Sequence, residues 1–449
     1  MDGKRRVVVA GGGMAAARLA ERLAGPGARA DVELTVVGEE PHPPYNRVLL
    51  GEVLTGRYGA DVVRLPPYPE TVRVRRGVRA VRVDRAARRL VCADGERIGY
   101  DRLVLATGAN PVLPPLRGLF EDGDDALPDG VRAFRTLDDC AALDPLARPG
   151  ARAVVIGGGL LGVSAARALA ARGVHVLLAH QGERLMERQL DAEAAQLLHR
   201  HLTALGVEVH TECRVRGVRT CPGSGGTRAV RAVTLADGAE PEADIVVLAC
   251  GTRPRTGLAH AAGLRVGRGI RVDDRLRTSD PLVHAVGDCA EHDGVLYGRA
   301  GPAQEQAEAL AKVLAAGPGT EEPRYRGTRS VTRLTLGPQP ANGIGNGNGN
   351  GAGTGTGQPL PPQEEAAHLP LDLAAFGETT PRPEDTGADV VRITDATRGR
   401  YRKVVVRGDR LVGGILLGDL GSVGALARTW EGDEPLPSAP LHHLLTNEG

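Results

Sequence analysis

Two stretches of this chain share one pattern of apolar and small residues. In the first, the apolar run Val7-Val8-Val9-Ala10 leads into Gly11-Gly12-Gly13-Met14-Ala15-Ala16. Residues 14–24 then place Leu19 and Leu23 four apart, Gly25-Pro26-Gly27 stops the pattern, and a second apolar run comes over 32–37. In the second stretch, Ala153-Val154-Val155-Ile156 leads into Gly157-Gly158-Gly159-Leu160-Leu161-Gly162, a helical segment over 160–172 and another apolar run over 174–179. Short apolar runs bounded by glycine predict strands buried on both faces, and a spacing of four predicts a helix, so each stretch reads as a strand–helix–strand unit.

The segments after the two units are also alike. Residues 78–105 alternate as antiparallel strands around a turn at Asp94-Gly95, ending in Leu103-Val104-Leu105-Ala106 and the small turn Thr107-Gly108. Residues 206–249 read as a meander around a turn at Asp237-Gly238, ending in an apolar strand over 245–249 and Cys250-Gly251-Thr252. That repeat predicts two related nucleotide-binding domains. Beyond them lie a short strand ending in Val286-Gly287-Asp288 and a helix from about Ala303 to Leu314. Residues 337–363, rich in Gly, Asn, Thr and Pro, cannot bury a core and are expected to form a disordered insertion. Three antiparallel strands over 390–393, 401–406 and 411–417, then a helical tail with Leu426, complete the chain. The expected class is α/β: two Rossmann-like three-layer domains, over 1–120 with 257–325 and over 121–256, plus a small α+β domain over 326–449.

The glycine clusters carry the candidate chemistry. Both fit G-x-G-x-x-G/A between a strand and a helix. The glycines permit a tight turn and close backbone approach to a pyrophosphate, and the helix presents its N-terminal amides and positive dipole end to the phosphates. A carboxylate at the tip of the second strand is placed to hold ribose hydroxyls; Glu39 is the first choice and Glu40 the alternative. Two such units in one chain imply two dinucleotides and electron traffic between them.

Composition narrows the partners. The formal charge is +1 over 449 residues and aromatics make up 2%, which points away from nucleic acid and anionic membrane surfaces. All but three of the 56 basic residues are Arg, which reflects coding bias rather than a binding signal. Cys92, Cys140, Cys213, Cys221, Cys250 and Cys289 show no C-x-x-C or C-x-x-x-x-C spacing, so neither a redox disulfide nor a metal or iron–sulfur site is expected, and a reducing cytoplasm suits free thiols. Lys4-Arg5-Arg6 before Val7 superficially matches a secretory leader, but the glycines at 11–13 interrupt the apolar run, and a strand–turn–helix unit explains it better. No stretch is long enough to cross a bilayer.

The fingerprints, together with Tyr100-Asp101-x-Leu103-Val104-Leu105-Ala106-Thr107-Gly108-Ala109 and Val286-Gly287-Asp288, resemble the FAD- and pyridine-nucleotide-dependent disulfide-reductase-like superfamily, with its glutathione-reductase-like fold. Two stretches, Pro41-His42-Pro43-Pro44-Tyr45-Asn46-Arg47-Val48-Leu49-Leu50 and Leu185-Met186-Glu187-Arg188-Gln189-Leu190-Asp191, resemble the flavin module of assimilatory nitrite reductase large subunits and the electron-transfer subunits of nitrate assimilation. Rubredoxin and ferredoxin reductases form the neighbouring branch. The resemblance implies that Gly11, Gly13, Met14, Ala15 and Ala16 hold the FAD pyrophosphate, with Glu39 on the adenosine ribose. It places Arg47 near the phosphates or flavin, Ala106, Thr107 and Gly108 along the FAD crossing, Gly287 and Asp288 at the ribityl chain, and Gln304 in the helix whose N-terminus faces the flavin. It assigns NADH or NADPH to Gly157, Gly159, Leu160, Leu161, Gly162 and His180, with Gly251 bordering the nicotinamide. No side chain is implied as catalytic acid, base or nucleophile.

Three departures stand out: Ser164 replaces a Glu common near the nicotinamide, His180 replaces an acid or a basic cluster, and no Lys lies over 45–55. Without a cysteine cluster, the chain is expected to supply electrons for nitrite reduction rather than to reduce nitrite itself. The expected activity is an FAD-dependent NAD(P)H oxidoreductase delivering electrons to a nitrite or nitrate reductase component. The alternatives are a rubredoxin or ferredoxin reductase, an NADH oxidase, and, in another class, a flavin- and NADH-binding sensor of low turnover. The C-terminal domain is expected to cover the flavin and to offer a dimer or partner surface.

Overall fold

The computed structural model describes residues 4–26, 31–120, 126–316, 323–336, 371–381, 384–395, 397–436 and 445. The predicted insertion over 337–363 lies outside them. The chain divides into two compact units, one of residues 1–53, 58–112 and 252–328, the other of residues 54–57, 113–251 and 329–449.

The first unit is α/β. The strand Arg5–Ala10 is flanked by Val32–Gly38 and Arg102–Leu105, all parallel, with Val283–Ala285 and Arg73–Arg76 at the edges. The unbroken apolar run is explained by burial on both faces. Val7 and Val9 pack against Leu19 and Leu23 of the helix Met14–Ala24 and Leu310 and Leu314 of the helix Ala300–Ala315. Val8 and Ala10 pack the other way, against Val83, Leu90 and Ile98 of a three-stranded antiparallel sheet. The helix expected to begin near Ala303 begins at Ala300. Pro302 sits in its first turn, where a missing amide costs no helical hydrogen bond.

The second unit repeats this plan and adds a further sheet. Arg152–Ile156 is central, with His175–Ala179 and Ile245–Leu248 beside it and Val207–His210 and Val131–Ala133 at the edges, all parallel. The expected single meander over 206–249 is therefore corrected. Its first part, Val207–His210, joins the parallel sheet after the helix Ala192–Ala204, and only Val215–Pro222 and Arg228–Leu235 form an antiparallel pair. That pair covers Val154, Ile156, Val246 and Leu248 through Val218, Val230 and Val233. The C-terminal sheet has five antiparallel strands rather than three, because Thr332–Leu336 and Leu371–Gly377 pair beside Arg410–Leu417. The helix Val423–Gly432 packs on it, with the Trp430 and Phe376 rings 5.2 Å apart. Among the described residues no helix is long and apolar enough to cross a membrane.

Candidate dinucleotide sites

The first candidate site forms where the strand Arg5–Ala10 turns into its helix. The Gly11 amide donates to the Val37 carbonyl at 2.7 Å, and its φ is +123°. A Cβ on Gly11 would lie 2.0 Å from the Ala106 carbonyl oxygen, so glycine is required for this approach. Gly13 is different. Its φ of −84° suits any residue, and a Cβ there would meet nothing within 4 Å. It caps the helix without a side-chain hydrogen bond, so the first-turn amides at Met14, Ala15 and Ala16 have no capping side chain.

The second turn matches the first position by position. The Gly157 amide donates to Ala179 at 2.8 Å, φ is +115°, and a Cβ would lie 2.4 Å from the Ala249 carbonyl oxygen. Gly159 caps the helix Leu160–Ala170 at φ −82°, again without a side-chain bond and again with open space where a Cβ would stand. Uncapped amides and room over a glycine are what a pyrophosphate needs, so the residues at both turns fit a dinucleotide. The fourth fingerprint position differs. Ala16 is accommodated fully buried, whereas a Cβ on Gly162 would lie 1.7 Å from the Gly157 carbonyl oxygen.

Strand register also aligns the flanking residues. Ala10 lies opposite Val37 and Ile156 opposite Ala179, so His180 corresponds to Gly38, and Gln181 corresponds to Glu39. In the first domain Gly12 packs on Gly38, and the Tyr68 hydroxyl donates to the Gly12 carbonyl at 3.1 Å. In the second, the His180 ring fills that place, and its Nδ1 accepts the Gly158 amide at 3.1 Å. His180 thus backs the glycine turn, and Gln181, the residue aligned with Glu39, is an uncharged amide.

Around the first turn the other expected residues gather. Glu39 accepts from Arg255 at 2.6 Å and stays 43% exposed. Glu40 is taken up locally: the Tyr45 hydroxyl donates to it at 2.6 Å and Arg47 pairs with its other oxygen. Arg47 lies 4.9 Å over the Tyr45 ring. Burial works against its charge, but Glu40, Tyr45 and Asp288 outweigh this and hold the guanidinium above its usual range. The Thr107 hydroxyl donates to the Arg255 carbonyl at 2.8 Å, and the Arg255 amide returns to the Gly108 carbonyl at 2.9 Å. Gly287, at φ +79°, opens the short turn holding Asp288, and its Cα faces Ala15. Gln304 lies in the second turn of its helix rather than at its start. In the second unit Gly251, at φ +100°, is exposed after its strand.

Tyr68, Arg255 and Gln306 escaped the sequence reading, and Asp191, read there only as the end of a family stretch, was given no role. Asp191 caps the helix Ala192–Ala204 through the Ala194 amide, and its other oxygen accepts from the Tyr401 hydroxyl at 2.6 Å and Lys403 Nζ at 2.7 Å. Burial would raise this carboxyl, but Lys403, Tyr401 and the Ala194 amide together hold it below its usual range. This explains the Leu185-to-Asp191 stretch. It begins beside the glycine turn, where the Met186 amide donates to Gly158, and ends on the C-terminal sheet. The acid three residues before Ala194 was a legible capping signal.

All six cysteines are free. Cys289, beside Asp288, is buried against the Leu105 and Val286 carbonyls, and burial pushes its thiol up; burial also pushes the Cys140 thiol up, there to about 12. A thiol so protonated is a poor nucleophile.

Residues 5–309 match the family model of the pyridine nucleotide-disulphide oxidoreductases, and residues 369–429 match that of the rubredoxin NAD+ reductase C-terminal domain. The chain is 33% identical over 422 residues to a nitrite reductase [NAD(P)H] of Bacillus subtilis (strain 168), covering 93% of this chain and 46% of that protein. It is 33% identical over 420 residues to the assimilatory nitrate reductase electron transfer subunit of the same organism, covering 93% and 48%. The chain therefore spans about half the length of these relatives. It is 32% identical over 328 residues to putidaredoxin reductase CamA of Pseudomonas putida, covering 70% and 75%. A solved covalent putidaredoxin reductase–putidaredoxin complex has the same fold, with a TM-score of 0.77 over 99% of both chains at 24% identity.

Proposed function

The chain belongs to the pyridine nucleotide-disulphide oxidoreductase family, whose members bind FAD and NAD(P)H, and on that premise we propose that it oxidises NADH or NADPH and passes the electrons to a separate redox protein of nitrite or nitrate assimilation. The observation that carries this reading is the doubled cradle. Gly13 and Gly159 each leave open space above an uncapped helix N-terminus, in two domains of one plan.

FAD, when bound, supplies the chemistry that links a two-electron hydride donor to one-electron delivery. The chain supplies binding and orientation. Gly11 and Gly13 let backbone approach the FAD pyrophosphate, the amides of Met14, Ala15 and Ala16 hold it, and Glu39 takes the adenosine ribose. Ala106, Thr107 and Gly108 line the cofactor's path, Asp288 takes the ribityl hydroxyls, and Arg47 places positive charge beside it. Gln304 lies along the helix Ala300–Ala315, whose positive N-terminal end favours the anionic reduced cofactor. Gly157, Gly159, Leu160, Leu161 and Gly162 hold the NAD(P)H pyrophosphate, His180 stiffens that turn, and Gly251 borders the nicotinamide. The buried, protonated Cys289 makes thiol chemistry unsuited to this site.

The assignment of the partner rests on the two Bacillus subtilis relatives, which align with almost the whole chain. It is tested by mixing the NADPH- or NADH-reduced protein anaerobically with a siroheme- and iron–sulfur-containing nitrite reductase module, a rubredoxin or a [2Fe–2S] ferredoxin. Fastest reoxidation by the nitrite reductase module is expected. Faster reoxidation by rubredoxin or ferredoxin would move the protein to that branch, and slow reoxidation by all three would favour a sensor.

A further inference from the structure

Gln306 is a buried carboxamide in the first unit, 1% exposed, and the fingerprint residues do not include it. Its Oε1 accepts the Gly287 amide at 2.7 Å, across 19 residues of sequence. An amide N–H can only donate, so the carboxamide oxygen must face Gly287 and the NH2 must face away. The NH2 reaches the Tyr325 phenol, which is hydrogen-bonded to it. Tyr325 is fixed in turn by Thr328 at 2.7 Å, and Thr328 by Glu305 at 2.7 Å. Both ends of Gln306 are therefore used, and its orientation is set by a chain of contacts outside the cofactor cradle.

Gly287 opens the turn that carries Asp288. A Cβ built on it would stand 3.4 Å from the Ala15 Cβ and 3.7 Å from the Ala303 Cβ. The turn is thus wedged between the first turns of the fingerprint helix and of the helix Ala300–Ala315. Packing fixes its distance from both; the Gly287–Gln306 hydrogen bond, with the Cys289 thiol on the Val286 carbonyl, sets the rotation of the Val286–Gly287 peptide, and the Ala290 amide holds the carbonyl of the Gly287 peptide that leads into Asp288. We propose that Gln306 is a positioning residue for FAD: it holds the Gly287 amide so that Asp288 presents its carboxylate to the ribityl chain. The inference rests on the flavin reading above.

The experiment compares apoprotein reconstitution with FAD for the wild type, Gln306→Leu, Gln306→Glu and Tyr325→Phe. It reads the FAD dissociation constant, the visible circular dichroism of the bound flavin and the apoprotein Tm. Gln306→Leu strands the Gly287 amide and should weaken FAD binding about 10- to 100-fold with an altered flavin dichroism. Gln306→Glu, so buried that its carboxyl takes up a proton rather than carry charge, keeps an oxygen acceptor for Gly287 and can donate its O–H to the Tyr325 phenol. It should stay within about threefold of wild type, a rescue that loss of packing alone would not give. Tyr325→Phe removes only the outer support and should weaken binding by a few-fold, so it tests the idea even where the Leu variant fails to fold. Wild-type affinity and dichroism in both Gln306→Leu and Tyr325→Phe would overturn the proposal, as would equal losses in the Leu and Glu variants. A wild-type protein that takes up no FAD would instead overturn the flavin reading, and this inference with it.

Discussion

The two nucleotide-binding domains use the same turn and differ in what stands behind it. Each has a left-handed glycine pressed against a carbonyl of the neighbouring strand and an open glycine at the helix cap. Behind the first turn are Gly38 and Tyr68; behind the second are His180 and Leu185. Each also has a carboxylate that gathers a tyrosine and a cation: Glu40 with Tyr45 and Arg47 in the first, Asp191 with Tyr401 and Lys403 in the second. The first of these triads orders a segment beside the cradle; the second ties the domain to the C-terminal sheet. On the reading proposed above, the turn is the part a pyrophosphate dictates, and the support behind it is where the two domains differ.

The sharpest way to break the comparison is to fill each cradle. Gly13→Val suits the backbone at φ −84° but puts a side chain over the uncapped amides, so the protein should fold and be isolated without flavin, read as the ratio of absorbance near 450 and 280 nm. Gly159→Val should keep its flavin and raise KM for the nicotinamide coenzyme at least about tenfold. Flavin retained by the first variant, or an unchanged KM in the second, would mean that the nucleotides are misassigned.

Next in size is Asp191→Ala, which leaves the Lys403 ammonium, 9% exposed, without its partner. Removing one member of so buried a pair costs about 3–5 kcal/mol, read by urea unfolding of the holoprotein. A cost below about 1 kcal/mol would show that the tie is incidental. The fourth fingerprint position gives a smaller contrast. Gly162→Ala forces a Cβ against the Gly157 carbonyl and should cost roughly 1–3 kcal/mol, while Ala16→Gly should cost about 1 kcal/mol through helix propensity. Equal costs would mean that the second turn relaxes more freely than its geometry suggests.

The last contrast depends on pH. His284 and Arg132 occupy equivalent places on the edge strands of the two sheets. Burial, outweighing the other influences, holds His284 down at about 4. The unfolded chain, with an ordinary imidazole near pH 6.5, then binds more protons below that value. Stability is full above about pH 6.5 and falls toward pH 4, by on the order of 3 kcal/mol. His284→Leu should flatten that slope in denaturant titrations at about pH 7 and 4.5; an unchanged slope would assign it to other groups.

Much of this was legible in the sequence because its cause is local. The glycine turns, the apolar strands and the helix Met14–Ala24 come from sterics and spacing within a few residues. The features that were missed depend on distant chain. Val207–His210 looks like part of a meander until the helix before it returns it to the parallel sheet. Thr332–Leu336 and Leu371–Gly377 pair with each other across a long separation, so neither has a local partner to betray it. Gln306 reads as an ordinary helix residue, and only the fold brings Gly287 to it; the sequence pointed instead to Gln304, two positions away and less buried. Glu39 was read as the acid at the strand tip, but its ion pair with Arg255 crosses more than two hundred residues and has no local sign.

The measurement that bears most directly on the division of labour between the two turns is an anaerobic absorbance titration of the purified holoprotein with NADH and, separately, with NADPH. A yellow protein bleached by about one equivalent of either coenzyme is the predicted result, and the more effective coenzyme would also show what Gln181 and His180 select. A yellow protein that neither coenzyme bleaches would contradict the assignment of the second turn to NAD(P)H.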